Sequence, residues 1–290
     1  MFISVLELFK LGIGPSSSHT VGPMIAAAQF IQTLESSHKF PVQGMHLRCI
    51  LTGSLAHTGL GHSTDNALLL GLHGYTPQEI AVIDIAELIN QLWHKQYVSV
   101  PFQNQPLLIN FDPTKDIIFD KDQTLAEHPN GMIFEIYDEQ VEVIFSETYF
   151  SIGGGFVNTL AEMKQLIAPI KMLHSSKCEY PFDNALSMLT MAEKNNLTIA
   201  QMKYRNEQQF HTTQSLETGL DSIWQGMKSC VESGLKNEGT LPGGLKVKRR
   251  AKNLHQQLLT HPNEAHLHEW LCAYAMAVNE ENAAGHAVVT

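Results

Sequence analysis

Cysteine is scarce: 290 residues carry four, Cys49, Cys178, Cys230 and Cys272, scattered with no C-x-x-C pair. That scarcity excludes a disulfide-stapled scaffold and predicts free thiols in a reducing, cytoplasmic setting. Basic charge is also in short supply, with 19 Lys plus Arg against 29 Asp plus Glu and a formal net charge of -10. A general electrostatic grip on nucleic acid or anionic lipid is thereby excluded. No run of about 18 consecutive apolar residues occurs, so no membrane span is expected. The opening stretch Met1-Phe-Ile-Ser-Val-Leu-Glu-Leu-Phe-Lys10 places Glu7 and Lys10 inside its apolar part, with no basic start, and does not read as a secretory signal. Repeats and low-complexity tracts are missing too. What is there is 43% hydrophobic residues and only 17% charged, the composition of a folded globular protein. At roughly 150 residues per domain the length predicts two domains and, with the acidic balance, a small-molecule partner.

The first half reads as mixed α/β. Met24, Ile25, Ala28, Phe30, Ile31 and Leu34 share one helical face from Gly22 to about Glu35, with Thr20 just ahead as a candidate N-cap. Met45, Leu47, Cys49 and Leu51 alternate with His46, Arg48 and Ile50, which predicts a strand ending at Gly53. Thr76-Pro77-Gln78-Glu79 forms a capping box for a helix running to about Lys95. Leu107 to Phe111, Ile117 to Phe119, Met132 to Tyr137 and Val141 to Tyr149 are β-rich, the last two joined by a hairpin at Asp138-Glu139-Gln140. After Gly153-Gly154-Gly155 helical periodicity takes over, over 184–194, 199–207, 216–235, 247–259 and 264–280. The expected fold class is therefore α+β: a mixed α/β domain over 1–157, a linker over 158–183 and an all-helical domain over 184–290.

Six polar constellations sit at predicted element ends. Gly14-Pro15-Ser16-Ser17-Ser18-His19-Thr20 opens directly into a helix, where unpaired backbone N–H groups and hydroxyls suit a carboxylate or phosphate. The same residues would serve as ordinary helix caps, and no Gly-Lys-Ser/Thr ending marks a P-loop. Gly61-His62-Ser63-Thr64-Asp65 opens another helix and offers His62 as base or anion partner, against the plainer reading of one surface imidazole among 15 histidines. His128-Pro129-Asn130-Gly131 is a rigid turn before a strand. Ser151-Ile152-Gly153-Gly154-Gly155 follows a strand, its glycines permitting positive φ and a close backbone approach to ligand, or a hinge. Leu241-Pro242-Gly243-Gly244-Leu245 precedes Lys246, Lys248, Arg249, Arg250 and Lys252, a basic turn suited to an anionic substrate, a subunit contact or a solvated face. Asn279-Glu280-Glu281-Asn282 closes a long helix. Together they predict one cleft between the domains.

Taken in order, S-V-L-E-L-F from Ser4, G-P-S-S-S-H-T from Gly14, G-H-S-T-D from Gly61, H-P-N-G-M from His128, S-I-G-G-G-F from Ser151, L-P-G-G-L-K-V-K-R-R from Leu241 and N-E-E-N from Asn279 resemble the iron-sulfur-dependent bacterial L-serine dehydratases. The resemblance implies an N-terminal domain similar to the allosteric substrate-binding domain of some phosphoglycerate dehydrogenases, then a helical catalytic domain holding a [4Fe-4S] cluster. It also implies elimination of water from L-serine to pyruvate and ammonia without pyridoxal phosphate, a Lewis-acidic iron easing loss of the hydroxyl. Carried over residue by residue, His62 and His19 would be catalytic. Ser16, Ser17, Ser18, Thr20, Thr64, Asp65, His128, Asn130, Ser151, Gly153 and Gly154 would bind substrate, and Lys246 and Arg249 would brace the cleft. The resemblance further implies a homodimer. His286 and Ala287 stand where the family tends to have Gly and Arg. The family continues past the N-E-E-N segment into the region of its cluster cysteines, whereas this sequence ends at Thr290. The helical domain is accordingly expected to be incomplete, with no metal ligand in this chain. Two other readings stay open: a non-catalytic module binding a small amino acid or carboxylate, and a zinc hydrolase using His19, His62 and His128, which lacks H-E-x-x-H spacing.

Overall fold

The computed structural model describes residues 2–36, 44–80, 85–102, 105–165, 177–242, 245–261 and 266–289. Helix α1 (Val5–Leu8) and strand β1 (Leu11–Ile13) lead into a π-helical turn over Ser17–Val21 and helix α2 (Gly22–Ser36). Strand β2 (His46–Thr52) feeds the short helix α3 (Gly53–Thr58), a 3-10 turn over Gly59–His62 and helix α4 (Thr64–Leu72). Then come α5 (Pro77–Ile80), α6 (Ile85–Trp93), β3 (Tyr97–Phe102), β4 (Gln105–Asn110), α7 (Pro113–Asp116), β5 (Ile117–Asp120), β6 (Gly131–Tyr137), β7 (Val143–Gly153), β8 (Phe156–Thr159) and α8 (Leu160–Lys164). The second half contributes α9 (Ala185–Asn195), α10 (Ile199–Glu207), α11 (Thr213–Gly234), α12 (Ala251–Thr260), α13 (Leu267–Ala283) and strand β9 (Ala287–Val289).

Seven strands form one mixed sheet in the order β3-β4-β2-β6-β7-β8, with β5 pairing parallel to β2 beyond the short β2–β4 contact. Period-two alternation fixes the register: Leu47, Cys49 and Leu51 of β2 stand opposite Ile136, Phe134 and Met132 of β6, and all six are buried. Helices α2 and α4 cover that face. Phe30 of α2 stacks on Phe134 with ring centroids 4.9 Å apart, and Gly71 of α4 lies where a Cβ would strike the Met24 carbonyl.

Several elements differ from expectation for local reasons. Thr20 does not cap α2, because its hydroxyl is spent on another loop; Ser16 caps the turn instead, accepting from His19 N at 3.2 Å. The Thr76–Glu79 capping box forms, Glu79 accepting from Thr76 N at 2.9 Å, but the helix expected to reach Lys95 is described only as α5 and α6, residues 81–84 lying outside the described residues. Helix α12 starts at Ala251 and not at residue 247, because 239–249 pair back on themselves through Leu241 N–Val247 O and Arg249 N–Gly239 O. Gly243 and Gly244 lie outside the described residues, as do 166–176 of the expected linker, whose start instead holds the end of β8 and all of α8. The second half is not wholly helical, since β9 pairs antiparallel with β1. No helix among the described residues is long and apolar enough to cross a membrane.

Candidate active site

Four of the polar turns interlock at one end of the sheet. The Ser17–Val21 turn closes by Val21 N–Ser16 O (3.2 Å), an i to i+5 bond that widens the helix start and lays Ser16, Ser18 and His19 side by side. Ser16 and Ser18 hydroxyls are 3.3 Å apart. Both ring nitrogens of His19 are committed to hydroxyls, Nδ1 to Ser18 Oγ (2.9 Å) and Nε2 to Ser54 Oγ (3.0 Å). Burial, and next the nearby His62, hold the His19 pKa below the ordinary imidazole value against an opposing hydrogen bond at Ser54.

The second turn is tied to the first by a reciprocal pair of bonds. Thr20 Oγ1 donates to the His62 carbonyl at 2.8 Å, and Thr64 Oγ1 donates to the His19 carbonyl. The threonine just past each histidine thus clamps the other histidine's backbone, and the two imidazoles face each other with centroids 4.9 Å apart. His62 Nδ1 lies 2.9 Å from the Thr58 carbonyl, which can only accept. Neutral His62 therefore carries its proton on Nδ1 and presents Nε2 as a lone pair. Ser63 between them takes the left-handed conformation (φ 53°) that turns the 3-10 segment into α4.

The third and fourth turns meet beneath. Gly53, with φ 54°, packs so tightly on Pro129 that no Cβ would fit, and Ser54 N donates to the Pro129 carbonyl at 2.8 Å. Asn130 clamps the neighbouring strand, Nδ2 donating to Ser151 O (3.0 Å) while its own carbonyl accepts from Ser151 N (3.1 Å). His128 Nδ1 accepts from Asn130 N, and burial lowers the His128 pKa. Ser151 Oγ is fully buried without a hydrogen-bond partner and rests against Gly22 at the start of α2, where a Cβ would strike it. Gly153 (φ 96°) and Gly154 (φ 61°) form the tight end of the β7–β8 hairpin.

The fifth contact comes from the other half. The α13 C-terminus seats the first turn: Asn282 Nδ2 donates to Pro15 O (3.0 Å), and Gly14 N donates to the His286 carbonyl (3.0 Å). Gly14 is required there, since a Cβ would collide with the Asn282 carbonyl. Arg249 lies one step behind, its side chain 6% exposed and 2.6 Å from Glu281, itself 2% exposed. Burial pushes the Glu281 carboxyl up, but hydrogen bonds from Asn237, His286 and Arg249 outweigh it and hold the pKa below the ordinary value.

The structure therefore brings together Ser16, Ser18, His19, Thr20, His62, Thr64, Asn130 and Ser151, with Ser17 half-buried in the same turn. It does not bring all the expected residues in. Asp65 bonds its own turn through Asn66 N (2.9 Å), and burial raises its pKa; Lys246 is exposed at φ 50°. Ser54 was not anticipated, although a hydroxyl directly after a strand-ending glycine was the available signal.

A cluster fits these thiols poorly. Cys49 sits in the sheet core with its thiol pKa pushed up by burial, Cys230 is buried on α11 and pushed up to about 11, Cys178 is buried, and Cys272 is exposed on α13. Among the described residues no three His, Cys, Asp or Glu side chains form a metal-binding group, and His19, His62 and His128 are no exception. This donor set does not match a [4Fe-4S] cluster.

The sequence that builds these turns matches a known family. The family models for the serine dehydratase beta chain and the serine dehydratase alpha chain match residues 4–162 and 194–290. The chain belongs to the serine dehydratase family. More particularly, it is 37% identical to an L-serine dehydratase of Haemophilus influenzae and 38% identical to one of Streptomyces coelicolor, over 99% and 100% of its own length and 62% of each relative. The L-serine dehydratase TdcG of Escherichia coli is 38% identical over 99% of the chain and 62% of that protein. The chain thus spans about 62% of the length of these curated relatives.

Proposed function

We propose that the interlocked turns form the substrate-binding wall of an L-serine dehydratase site. In that reaction the Cα–H bond breaks, its electron pair forms the Cα=Cβ bond, and the Cβ hydroxyl departs. The resulting aminoacrylate is hydrolysed to pyruvate and ammonia. The observation that carries the reading is the facing imidazole pair, in which one ring is free to act and the other is fixed. His62, anchored through Nδ1 on Thr58, offers Nε2 to the Cα proton. His19, held neutral by burial and gripped by Ser18 and Ser54, orients those hydroxyls. Ser16, Ser17 and Ser18 at the helix start suit the substrate carboxylate, where N–H groups and the helix dipole favour an anion. Loss of hydroxide needs an acid or a Lewis acid, the part that the resemblance gives to an iron-sulfur cluster. The free cysteines support a cytoplasmic setting.

Proton abstraction can be read on its own. Incubation with L-serine in deuterium oxide, followed by proton NMR of the Cα position, is expected to show exchange that slows at least about 100-fold in His62→Gln, the usual contribution of a positioned general base. L-serine affinity by calorimetry should change only a few-fold. Exchange unaltered by the substitution, or no L-serine binding by the unsubstituted protein, would overturn the assignment.

A further inference from the structure

Both imidazoles of the facing pair are mounted on helix α3, whose six residues place Ser54 and Thr58 one turn apart. The Ser54 hydroxyl lies 3.0 Å from His19 Nε2, and the Thr58 carbonyl lies 2.9 Å from His62 Nδ1. Thr58 Oγ1 donates to the Ser54 carbonyl at 2.8 Å, so the two mounts are bonded to each other. The helix is firmly seated. Leu55 and Ala56 are buried, Gly53 N donates to Gln123 O at 2.9 Å, and Ser54 N donates to Pro129 O at 2.8 Å. The two bonds on the His19 ring differ in what they hold. Ser18 is its chain neighbour, so the Nδ1 bond travels with the serine turn. Ser54 stands 35 positions further on, and among the described residues no other side chain outside the serine turn hydrogen-bonds the ring. A hydroxyl can donate or accept, so this tie holds whichever ring nitrogen carries the proton. His62 has a single ring bond, and the His19 ring stands against it with centroids 4.9 Å apart.

We propose, on the assignment of His62 as the base, that Ser54 is a positioning residue for proton abstraction. Through His19 it sets the angle at which His62 meets the Cα proton, and Thr58 refers both rings to the same helix. No proton passes through Ser54. A base displaced by about 1 Å loses up to about 100-fold in rate while the substrate's own contacts are untouched. The loss of Ser54 is therefore read in the rate constant and not in L-serine affinity.

Ring-nitrogen NMR of the full chain at fixed pH reads the mount without any reaction. Ser54→Ala is expected to move the His62 resonances as well as those of His19. Thr58→Val, an exposed substitution that keeps the carbonyl, is expected to move His19. Exchange of the L-serine Cα proton in deuterium oxide reads the consequence. At saturating L-serine the rate constant should fall at least about tenfold in Ser54→Ala, while the half-saturating concentration changes less than about threefold. Ser54→Thr keeps the hydroxyl and should recover most of the rate, with circular dichroism unchanged in all variants. Unmoved His62 resonances in Ser54→Ala, exchange as fast as in the unsubstituted protein, or no recovery in Ser54→Thr would each overturn the role of Ser54. Exchange equally fast in His62→Gln would overturn the base assignment and this role with it, and the ring spectra keep the two failures apart.

Discussion

Thr20 and Thr64 carry more of the site than their size suggests. Each is buried, and each spends its one hydroxyl proton on the carbonyl of a histidine in the opposite turn. Thr64→Val keeps the shape but leaves the His19 carbonyl without its donor, at a cost of about 1–3 kcal/mol. Urea unfolding should read that loss, and exchange at the L-serine Cα should slow because the imidazoles lose their mutual register. A double-mutant cycle with Thr20→Val is expected to be non-additive, since either substitution frees the same pair of loops. Three half-buried histidines set an acid limit. Burial lowers the pKa of His19, His73 and His128. The folded state therefore binds protons less readily than the unfolded chain, whose imidazoles titrate near about 6.5. Their contribution to stability is complete above that value and is lost as pH falls through the depressed folded pKa values. The urea midpoint should fall below about pH 6.5. It should fall less steeply in His73→Asn, because His73 Nε2 is buried without a hydrogen-bond partner.

At the scale of elements, caps decide where helices begin. Thr198 accepts from Gln201 N (3.2 Å) while the Gln201 side chain accepts from Thr198 N (2.8 Å), so Thr198→Ala should cost about 0.5–2 kcal/mol, read by thermal or urea unfolding. The Thr76–Glu79 box and the period-two alternation of β2 are local in the same way, and for that reason both were legible in the sequence. Strand β3 was not, since Tyr97–Phe102 includes Pro101 and gains its place only by pairing with β4 at the sheet edge. Nor was the β1–β9 ladder, whose partners are more than 270 residues apart and three residues long. The motifs G-P-S-S-S-H-T, G-H-S-T-D, H-P-N-G and S-I-G-G-G were legible as polar strand and helix ends. Their interlocking through Ser54, Pro129 and the two threonines depends on sheet order, which no single stretch encodes.

Across the whole molecule, the N-terminal segment binds the second half to the first. Glu207 on α10 is 2% exposed and takes three contacts from that segment and its own helix: Val5 N (2.6 Å), Ser4 Oγ (2.8 Å) and Lys203 Nζ (3.0 Å). Phe2 stacks on Phe210, and Lys203 donates to the Ile3 carbonyl. From there the chain runs through β1, paired with β9, directly into the Gly14 turn held by Asn282 and His286. The serine turn is consequently suspended between two anchors in the helical half, Glu207 at its far end and the α13 terminus at its near end. Glu207→Ala leaves the Val5 amide and the Ser4 hydroxyl without their carboxylate and removes the partly exposed Lys203 ion pair, a loss of about 1–3 kcal/mol. Glu207→Gln keeps an acceptor and should recover part of it. If the anchor positions the site and does not merely stabilise the fold, L-serine affinity should fall in Glu207→Ala at temperatures where circular dichroism shows it folded, and recover in Glu207→Gln. Equal affinity in all three proteins would show that β1 and Asn282 hold the turn without help from the N-terminal clasp.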